Sequence, residues 1–215
     1  MARRKKEPRS VHRGNIASAA EKLFSEKGTE ATSMDDIAKA AGYSKATLYV
    51  YFQNKEEIIS VLAMESMQKL YDCISDALEI EERTRERYYL ICQGLVQYQE
   101  EFPYYFKVVL GSINMDFDRE QCPPADKETF LIGEAINEKI ARFLQEGIES
   151  GELREGIAIK PTIFAFWGML SGLIQLADNK EKYITQEMQM SKQQFLQAGF
   201  ETLYKSMVKE TVTKG

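Results

Sequence analysis

The pattern of apolar and polar positions is sharpest over residues 33–55, where it predicts two short helices joined by a tight turn. Apolar residues at i, i+3, i+4 and i+7 form one face of the first helix: Met34, Ile37, Ala38 and Ala41. Ser33 is placed to cap this helix and Gly42 to end it, because glycine readily adopts a positive φ. Ser44 can cap the second helix, which begins at Lys45. Two helices this close together in the chain must cross at a steep angle.

The second helix turns few of its side chains toward the first. Only Leu48 and Phe52 form an apolar i, i+4 pair, so the other positions face outward: Lys45, Ala46, Thr47, Tyr49, Val50 and Tyr51. An ordinary surface helix would carry Glu and Lys at these positions. A cation, hydroxyl groups, rings and small apolar groups instead suit phosphates and base edges. We interpret this segment as the recognition helix of a helix-turn-helix.

Helical spacing continues on both sides of this pair. A helix over about 10–27 precedes it, with an apolar face made of Ile16, Ala20, Leu23 and Phe24. After the pair, Asn54 is placed to cap a long helix, with Glu57 completing a capping box. Its apolar stripe continues to Leu78 without glycine or proline, which predicts about 25 residues. Lys55 lies in the first turn, where a cation opposes the helix dipole and is best explained by a bound phosphate.

The rest of the chain is also periodic, and no stretch alternates as a β-strand does. Helices are predicted over 84–102, 103–112, 126–150, 161–178 and 191–209, with a loop over 114–125. With the four helices above, the prediction is an all-α fold of about nine helices. We expect a basic arm and a three-helix helix-turn-helix domain in residues 1–55, followed by a larger helical domain in residues 56–215.

Charge is distributed unevenly along the chain. The 215 residues carry a formal net charge of −5, yet residues 1–55 hold 11 Lys+Arg against 6 Asp+Glu. An anion-binding surface is therefore expected at the N-terminus, whereas nucleic acid or membrane would repel the acidic remainder. The basic residues within 3–9 precede any periodic pattern. They form either a solvated tail or an arm that contacts phosphates or the minor groove of DNA.

Composition argues against several other classes of protein. Cys73, Cys92 and Cys122 are widely spaced, and the single His12 cannot complete a zinc site with them, so we expect idle thiols, no metal and no cofactor. No nucleophile has a histidine beside it, which argues against an enzyme. The longest apolar stretch, 163–177, has 15 residues, against roughly 20 needed to cross a membrane. With no secretory signal either, a cytoplasmic protein is expected.

The residues of the two short helices resemble the signature of the TetR family of bacterial transcriptional regulators. The matching positions are Thr32-Ser33, Ile37-Ala38, Ala41-Gly42, Ser44, Thr47-Leu48-Tyr49, Tyr51-Phe52 and Lys55-Glu56, preceded by a helix that Gly28 closes. The match covers about residues 12–58, and it is specific because many spaced positions agree at once. The resemblance implies a dimeric DNA-binding regulator, a repressor that a small ligand releases from a palindromic operator.

The resemblance also implies which residues contact double-stranded DNA. The expected positions are Ser33, Ser44, Lys45, Ala46, Thr47, Tyr49, Val50, Tyr51 and Lys55. Tyr49, Tyr51 and Lys55 are expected mainly on phosphates. Val50 is small enough to touch only a thymine methyl group. The alternative for Tyr49 and Tyr51 is packing against the first helix.

A homodimer is expected, partly because one short helix in one groove gives little affinity. The last two long helices carry the residues expected at the interface: Gly168, Gly172, Phe195, Leu196, Leu203 and Met207. Two glycines inside one helix favour close approach by another helix. The alternative is that these residues only complete the core of the protomer.

A set of aromatic and polar positions is expected to hold the unidentified effector in the second domain. The set comprises Tyr88, Cys92, Gln99, Phe102, Phe106, Phe130, Phe143, Trp167 and Ser171. Its few polar groups suit a small apolar or aromatic ligand. Core packing is the alternative for each of these residues. For the whole chain, the alternative is a regulator that responds to a protein partner or to no effector.

Overall fold

The computed structural model describes residues 7–80, 83–109 and 123–209. In these residues the chain forms ten helices and no β-strand. The helices are α1 Arg9–Lys27, α2 Met34–Ala40, α3 Lys45–Tyr51, α4 Lys55–Ile80, α5 Thr84–Glu101, α6 Pro103–Val109, α7 Pro124–Glu149, α8 Ile159–Asn179, α9 Glu181–Gln186 and α10 Lys192–Lys205. The prediction of an all-α fold is confirmed.

The observed helices differ from the predicted ones in several bounds and in number. α7 begins at Pro124 rather than 126, because proline at the first helical position has a suitable φ and no N–H to satisfy. α9, six residues long with only Ile184 buried, was not predicted because it is too short to show a period. α10 ends at Lys205 rather than 209. Most of the predicted loop over 114–125, including Cys122, lies outside the described residues.

Local side-chain contacts define the ends of α2 and α3. Ser33 and Asp36 form a reciprocal capping box at the start of α2. Gly42, with φ +76°, donates its N–H to the Lys39 carbonyl, and the next residue donates to the Ala38 carbonyl at 2.8 Å. This pair of bonds is a Schellman motif, which only a residue at ease with positive φ can make at low cost. Ser44 Oγ then accepts the Thr47 N–H at 3.1 Å and starts α3.

The chain divides into two compact units. The first unit comprises residues up to Gln68 together with Phe102–Leu131, and it contains α1 to α3. The second unit comprises Lys69–Glu101 and the residues from Ile132 onward. α4 contributes to both units. The predicted division at residue 55 between a DNA-binding and an effector domain stays a prediction.

Each unit has an apolar core of its own. Fully buried side chains of the first unit include Ile16, Ile37, Leu48, Phe52, Ile58 and Leu62. In the second unit, α8 and α10 approach closely at Gly199. A Cβ at this position would lie 2.9 Å from Cδ1 of Leu173, which is tighter than van der Waals contact. Because Gly199 has no side chain, α8 and α10 can approach this closely.

Candidate functional site

α3 presents most of its surface to solvent because only one edge is buried. Leu48 is 0% exposed and Phe52 is 1% exposed, as the apolar i, i+4 pair predicts. On the other side Val50 is 61% exposed and Tyr49 is 46% exposed, although both are large apolar side chains. Lys45 and Ala46 are exposed beside them, and Thr47 is half-buried. An exposed face of small apolar, hydroxyl and aromatic groups can lie in the major groove of DNA.

An ion pair lies at the N-terminal end of this face. Lys45 Nζ lies 2.8 Å from Asp35 Oδ1, and this ion pair raises the pKa of the lysine. At the start of α2, the Ser33 N–H and Lys27 hold the pKa of Asp36 well below its usual range. A phosphate that approaches Lys45 must therefore compete with an exposed carboxylate. Sequence analysis did not identify Asp35, whose side chain faces the next helix.

The rings of Tyr49 and Tyr51 have different surroundings. Tyr51 packs on His12 of α1, with ring centroids 5.1 Å apart, and its ring also meets Tyr43 at 6.2 Å. His12 Nδ1 and the Tyr43 hydroxyl share a hydrogen bond of 2.8 Å. The alternative of packing against the first helix therefore describes the ring of Tyr51, while Tyr49 is exposed. Contact of either hydroxyl with phosphate stays a prediction.

Lys55 is held by the loop between α1 and α2. Its ammonium group donates to the Thr29 carbonyl at 2.7 Å and to the Thr32 carbonyl at 3.2 Å. An ammonium group has three N–H donors, so one remains for a phosphate. The capping of α4 beside it also differs in one detail from the prediction. Asn54 accepts the Glu57 N–H at 2.8 Å, but the Glu57 carboxylate accepts from Gln53 rather than Asn54.

Arg9, which was expected in the basic arm, and Arg13, which sequence analysis missed, both lie on α1 and contact the end of α3. Arg9 Nη2 donates to the Val50 carbonyl at 2.9 Å, and Arg13 Nη1 donates to the Tyr51 carbonyl. Their i, i+4 spacing places them on one face of α1, a signal that could have paired them. The carbonyl partners lie 38 and 41 residues away in sequence. Periodicity gives no information about contacts that distant.

An exposed apolar groove lies along α8 and α10 in the second unit. Its volume is about 520 Å³, and it is lined mainly by Met169, Gly172, Leu173, Leu176, Met188, Met190, Phe195, Ala198, Gly199 and Leu203. Three of the predicted interface residues, Gly172, Phe195 and Leu203, therefore line one groove. Gly168 is exposed on α8. A Cβ at Gly168 or Gly172 would meet no atom within 4 Å. Within the described residues, the close approach that the two glycines suggested is therefore not made inside the protomer.

Two residues predicted at the interface lie inside the protomer instead. Leu196 is 5% exposed and Met207 is 3% exposed. Met207 lines an internal cavity together with Tyr88. Both side chains face the core because α10 has a buried stripe, which also contains Phe200 and Tyr204. The sequence pattern did not separate this stripe from the exposed one.

The internal cavity of the second unit brings together part of the predicted effector set. Its volume is about 40 Å³, and its lining includes Tyr88, Phe143, Phe166, Trp167 and Leu170. A drug-sized ligand needs about 300–1,000 Å³, so the cavity is too small for one.

The other predicted effector residues do not line this cavity. Cys92 is fully buried, and Ser171 Oγ donates to the Trp167 carbonyl of its own helix. Gln99 is half-buried, and its Oε1 has no hydrogen-bond partner among the described residues. Phe102, Phe106 and Phe130 belong to the first unit. Phe130 is also 37% exposed, so these aromatic positions do not all lie in a core, and the sequence could not assign them to one cavity.

One described helix, α8, is long and apolar enough to cross a membrane by length and composition. Only 22% of its most apolar window is buried in the protomer. The exposed apolar side chains of α8 include Phe164, Met169 and Leu176, the last two of which line the groove. Part of the exposed apolar surface of α8 thus belongs to the groove and has an explanation other than contact with a bilayer. No cluster of three metal-ligating side chains occurs in the part of the chain that the structure describes.

Known proteins resemble this chain in a short N-terminal segment and, in other cases, over most of its length. The sequence model for bacterial regulatory proteins of the tetR family matches residues 16–62. The fatty acid metabolism regulator protein of Bacillus subtilis is 25% identical over 152 residues, covering 67% of this chain and 72% of the relative. The transcriptional regulator TtgR of Pseudomonas putida is 35% identical over 82 residues, covering 38% of this chain and 39% of the relative. This second likeness is thus confined to less than half of either protein.

Solved structures extend the likeness over nearly the whole chain. The TetR family transcriptional regulator PfmR from Thermus thermophilus has a TM-score of 0.67 and 27% identity, covering 88% of this chain and 97% of that one. The fatty acid degradation regulator FadR from Bacillus halodurans has a TM-score of 0.68 at 18% identity, covering 94% of this chain and 97% of the other. The second comparison supports the fold alone.

Proposed function

Because the chain belongs to the TetR family of bacterial transcriptional regulators, we propose that it is a dimeric repressor that binds a palindromic operator through α3. Members of this family are DNA-binding regulators, often repressors, and not enzymes. The single observation that carries the proposal is the exposed outer face of α3, with Val50 61% exposed over a fully buried Leu48. The contacts expected on DNA are those named from the sequence.

DNA binding is tested with duplexes selected from a random-sequence pool by the full-length protein. We expect a palindromic consensus, and a binding constant that falls steeply with salt because several phosphates per subunit are neutralised. The Lys45–Asp35 ion pair predicts that Asp35→Asn tightens binding to all duplexes, since a carboxylate beside the phosphates is removed. Failure of the wild type to enrich any duplex would contradict the proposal.

The groove along α8 and α10 supports a second copy of the chain as its occupant. It is apolar and exposed, and it contains Gly172, where a partner helix can approach closely. Two copies related by a two-fold axis would form a four-helix interface. This arrangement would set the recognition helices about 34–36 Å apart, as half-sites one turn apart require.

We further propose that the cavity at Tyr88, Phe143 and Trp167 holds a small apolar ligand when it opens. Its lining is almost wholly apolar, and the Tyr88 hydroxyl already donates to the Phe200 carbonyl at 3.0 Å, so a charged ligand has no obvious partner. Uncharged fatty acid esters are the first candidates to test, because the name of one relative concerns fatty acid metabolism. A ligand can release DNA only if it binds the two states of the dimer with different affinities.

The ligand is tested by thermal unfolding and DNA release with a panel of fatty acid esters and uncharged aromatic compounds. We expect a rise in Tm and loss of DNA binding, both abolished by Leu170→Phe, which fills the cavity from its wall. The closed volume of about 40 Å³ favours one alternative, a regulator with a solid core and no small-molecule effector. Absence of any shift across the panel, with no ligand retained on purification, would support that alternative. We propose a cytoplasmic location in either case, with no cofactor.

A further inference from the structure

The recognition helix has little to hold its direction. α3 contains seven residues, so its last carbonyls have no partner within the helix. Among its side chains only Leu48 is buried, with Phe52 following at the C-cap. At its N-terminus Lys45 makes only an exposed ion pair with Asp35, which contributes little, whereas near its C-terminus the Tyr51 ring packs on His12. The groups at its C-terminus therefore decide which way its outer face points.

Arg13 of α1 is at the centre of these groups. Its Nη1 donates both to the Tyr51 carbonyl and, at 2.9 Å, to Glu57 Oε1 of α4. Its guanidinium carbon lies 4.0 Å from the centroid of the Phe52 ring. The other Glu57 oxygen accepts the Gln53 N–H at 2.7 Å. One guanidinium thus connects α1, the end of α3, the turn after it and the start of α4.

The contacts of Arg13 differ from those of an arginine that binds a DNA phosphate. Its side chain is 28% exposed and that of Glu57 is 31% exposed, so the ion pair is partly shielded from water. The charge is matched by a carboxylate, and the planar group is stacked on a ring. Arg9, by contrast, makes an exposed hydrogen bond to the Val50 carbonyl. A lysine at position 13 would keep the charge but lose the planar geometry that bridges two acceptors over a ring.

We propose that Arg13 is a positioning residue for sequence discrimination: it fixes the direction of α3 without touching DNA. The inference rests on the DNA-binding function proposed above. Base-edge hydrogen bonds and methyl contacts require accurate placement, whereas phosphate contacts carry no sequence information. A small rotation of α3 therefore weakens binding to the correct site more than binding to unrelated DNA.

The test compares Arg13→Lys and Arg13→Gln with the matched control Arg154→Gln. Arg154 donates to the Ser206 carbonyl at 3.2 Å at the end of α10, so the control removes a similar cap and charge from the second unit. The probes are a duplex selected by the wild type and an unrelated duplex of equal length. For Arg13→Lys we expect Kd to rise at least about tenfold on the selected duplex and to stay unchanged on the unrelated one. The salt slope should also stay unchanged, and the control should bind both duplexes normally.

Other results would overturn the inference. An equal loss on both duplexes, with the salt slope reduced by about one per subunit, would make Arg13 a phosphate contact. The fraction of Arg13→Lys protein that binds DNA can be counted by titration against the selected duplex far above Kd. Normal affinity of that fraction would leave Arg13 only a structural role. Should both Arg13 variants fail to fold, Glu57→Gln removes the ion pair and must still lower discrimination. Failure of the wild type to select any duplex would instead contradict the DNA-binding function itself.

Discussion

Lys55 illustrates how one residue can serve both the fold and DNA. Its ammonium group donates to the Thr29 and Thr32 carbonyls, which leaves one donor for a phosphate. Lys55→Ala should weaken binding to all sequences and reduce the salt slope by about one per subunit. It should also lower Tm, because two carbonyls of the loop before α2 lose their donor. Binding at several salt concentrations and thermal unfolding measure the two effects.

Lys45→Ala is the matched control for this prediction. Lys45 pairs with Asp35 at the surface, with 61% of the lysine side chain exposed. The variant should reduce the salt slope similarly and leave Tm nearly unchanged, since exposed ion pairs contribute little to stability. A Lys55→Ala protein with a lowered Tm and an unchanged slope would show that Lys55 serves the loop alone.

The thiols of the second unit are predicted to be unreactive. Burial raises the pKa of Cys92 to about 12 and that of Cys73 to about 11. At pH 8 roughly a thousandth or less of either thiol is then thiolate, which is the reactive form. Labelling of native protein with iodoacetamide at pH 8 should leave both residues unmodified by mass spectrometry, whereas guanidinium-unfolded protein is labelled at both. Rapid native labelling of Cys92 would contradict its burial.

At the scale of the element, α3 depends on its caps because it is short. Ser44→Ala removes the acceptor for the Thr47 N–H and should lower the free energy of unfolding by about 1 kcal/mol. It should also weaken DNA binding, because the first turn of α3 frays. Urea unfolding and a binding titration give both values.

Ser191→Ala provides the control at the start of α10. Ser191 accepts the Gln194 N–H at 3.1 Å in a full capping box, so its loss should cost a similar free energy of unfolding. DNA binding by this variant should be normal, provided that the protein remains a dimer. Equal weakening of DNA binding by both variants would show that general stability, and not α3, is responsible.

Element by element, sequence analysis was reliable where the signals are local. The N-cap at Ser33 and the helix end at Gly42 were predicted because their partners lie within five residues. The roles of Arg13 and of the Lys55 carbonyl partners were missed, because 23 to 44 residues separate the bonded groups. Aromatic stripes identified Tyr88 as a core position. Periodicity could not show which stripes face one cavity, since that depends on how the helices pack.

At the scale of the whole molecule, the groove of α8 and α10 predicts a homodimer that one substitution should separate. Gly172 lines the groove, and a Cβ there meets nothing within 4 Å inside the protomer. Gly172→Glu should therefore fold, place a charge in the apolar interface and yield monomers. Light scattering at micromolar concentration gives the mass, and loss of affinity for the selected duplex should accompany dissociation.

Gln175→Glu, at an exposed position on α8 outside the groove lining, is the control for added charge. It should remain dimeric and bind the selected duplex as the wild type does. A monomeric wild type under the same conditions would rule out the four-helix interface. A dimeric Gly172→Glu protein would place the interface on another surface.

The contact between Gly199 and Leu173 has a consequence for how such regulators diversify after gene duplication. Leu173 occupies the space that a side chain at position 199 would need, so any larger residue there must turn the Leu173 side chain aside or move α10 away from α8. Both residues also border the groove that a second copy would fill. A single change in packing within one duplicate would thus alter the shape it offers to its sister protein. Two paralogues could stop forming mixed pairs in this way while the face of α3, and with it the inherited operator, stayed the same.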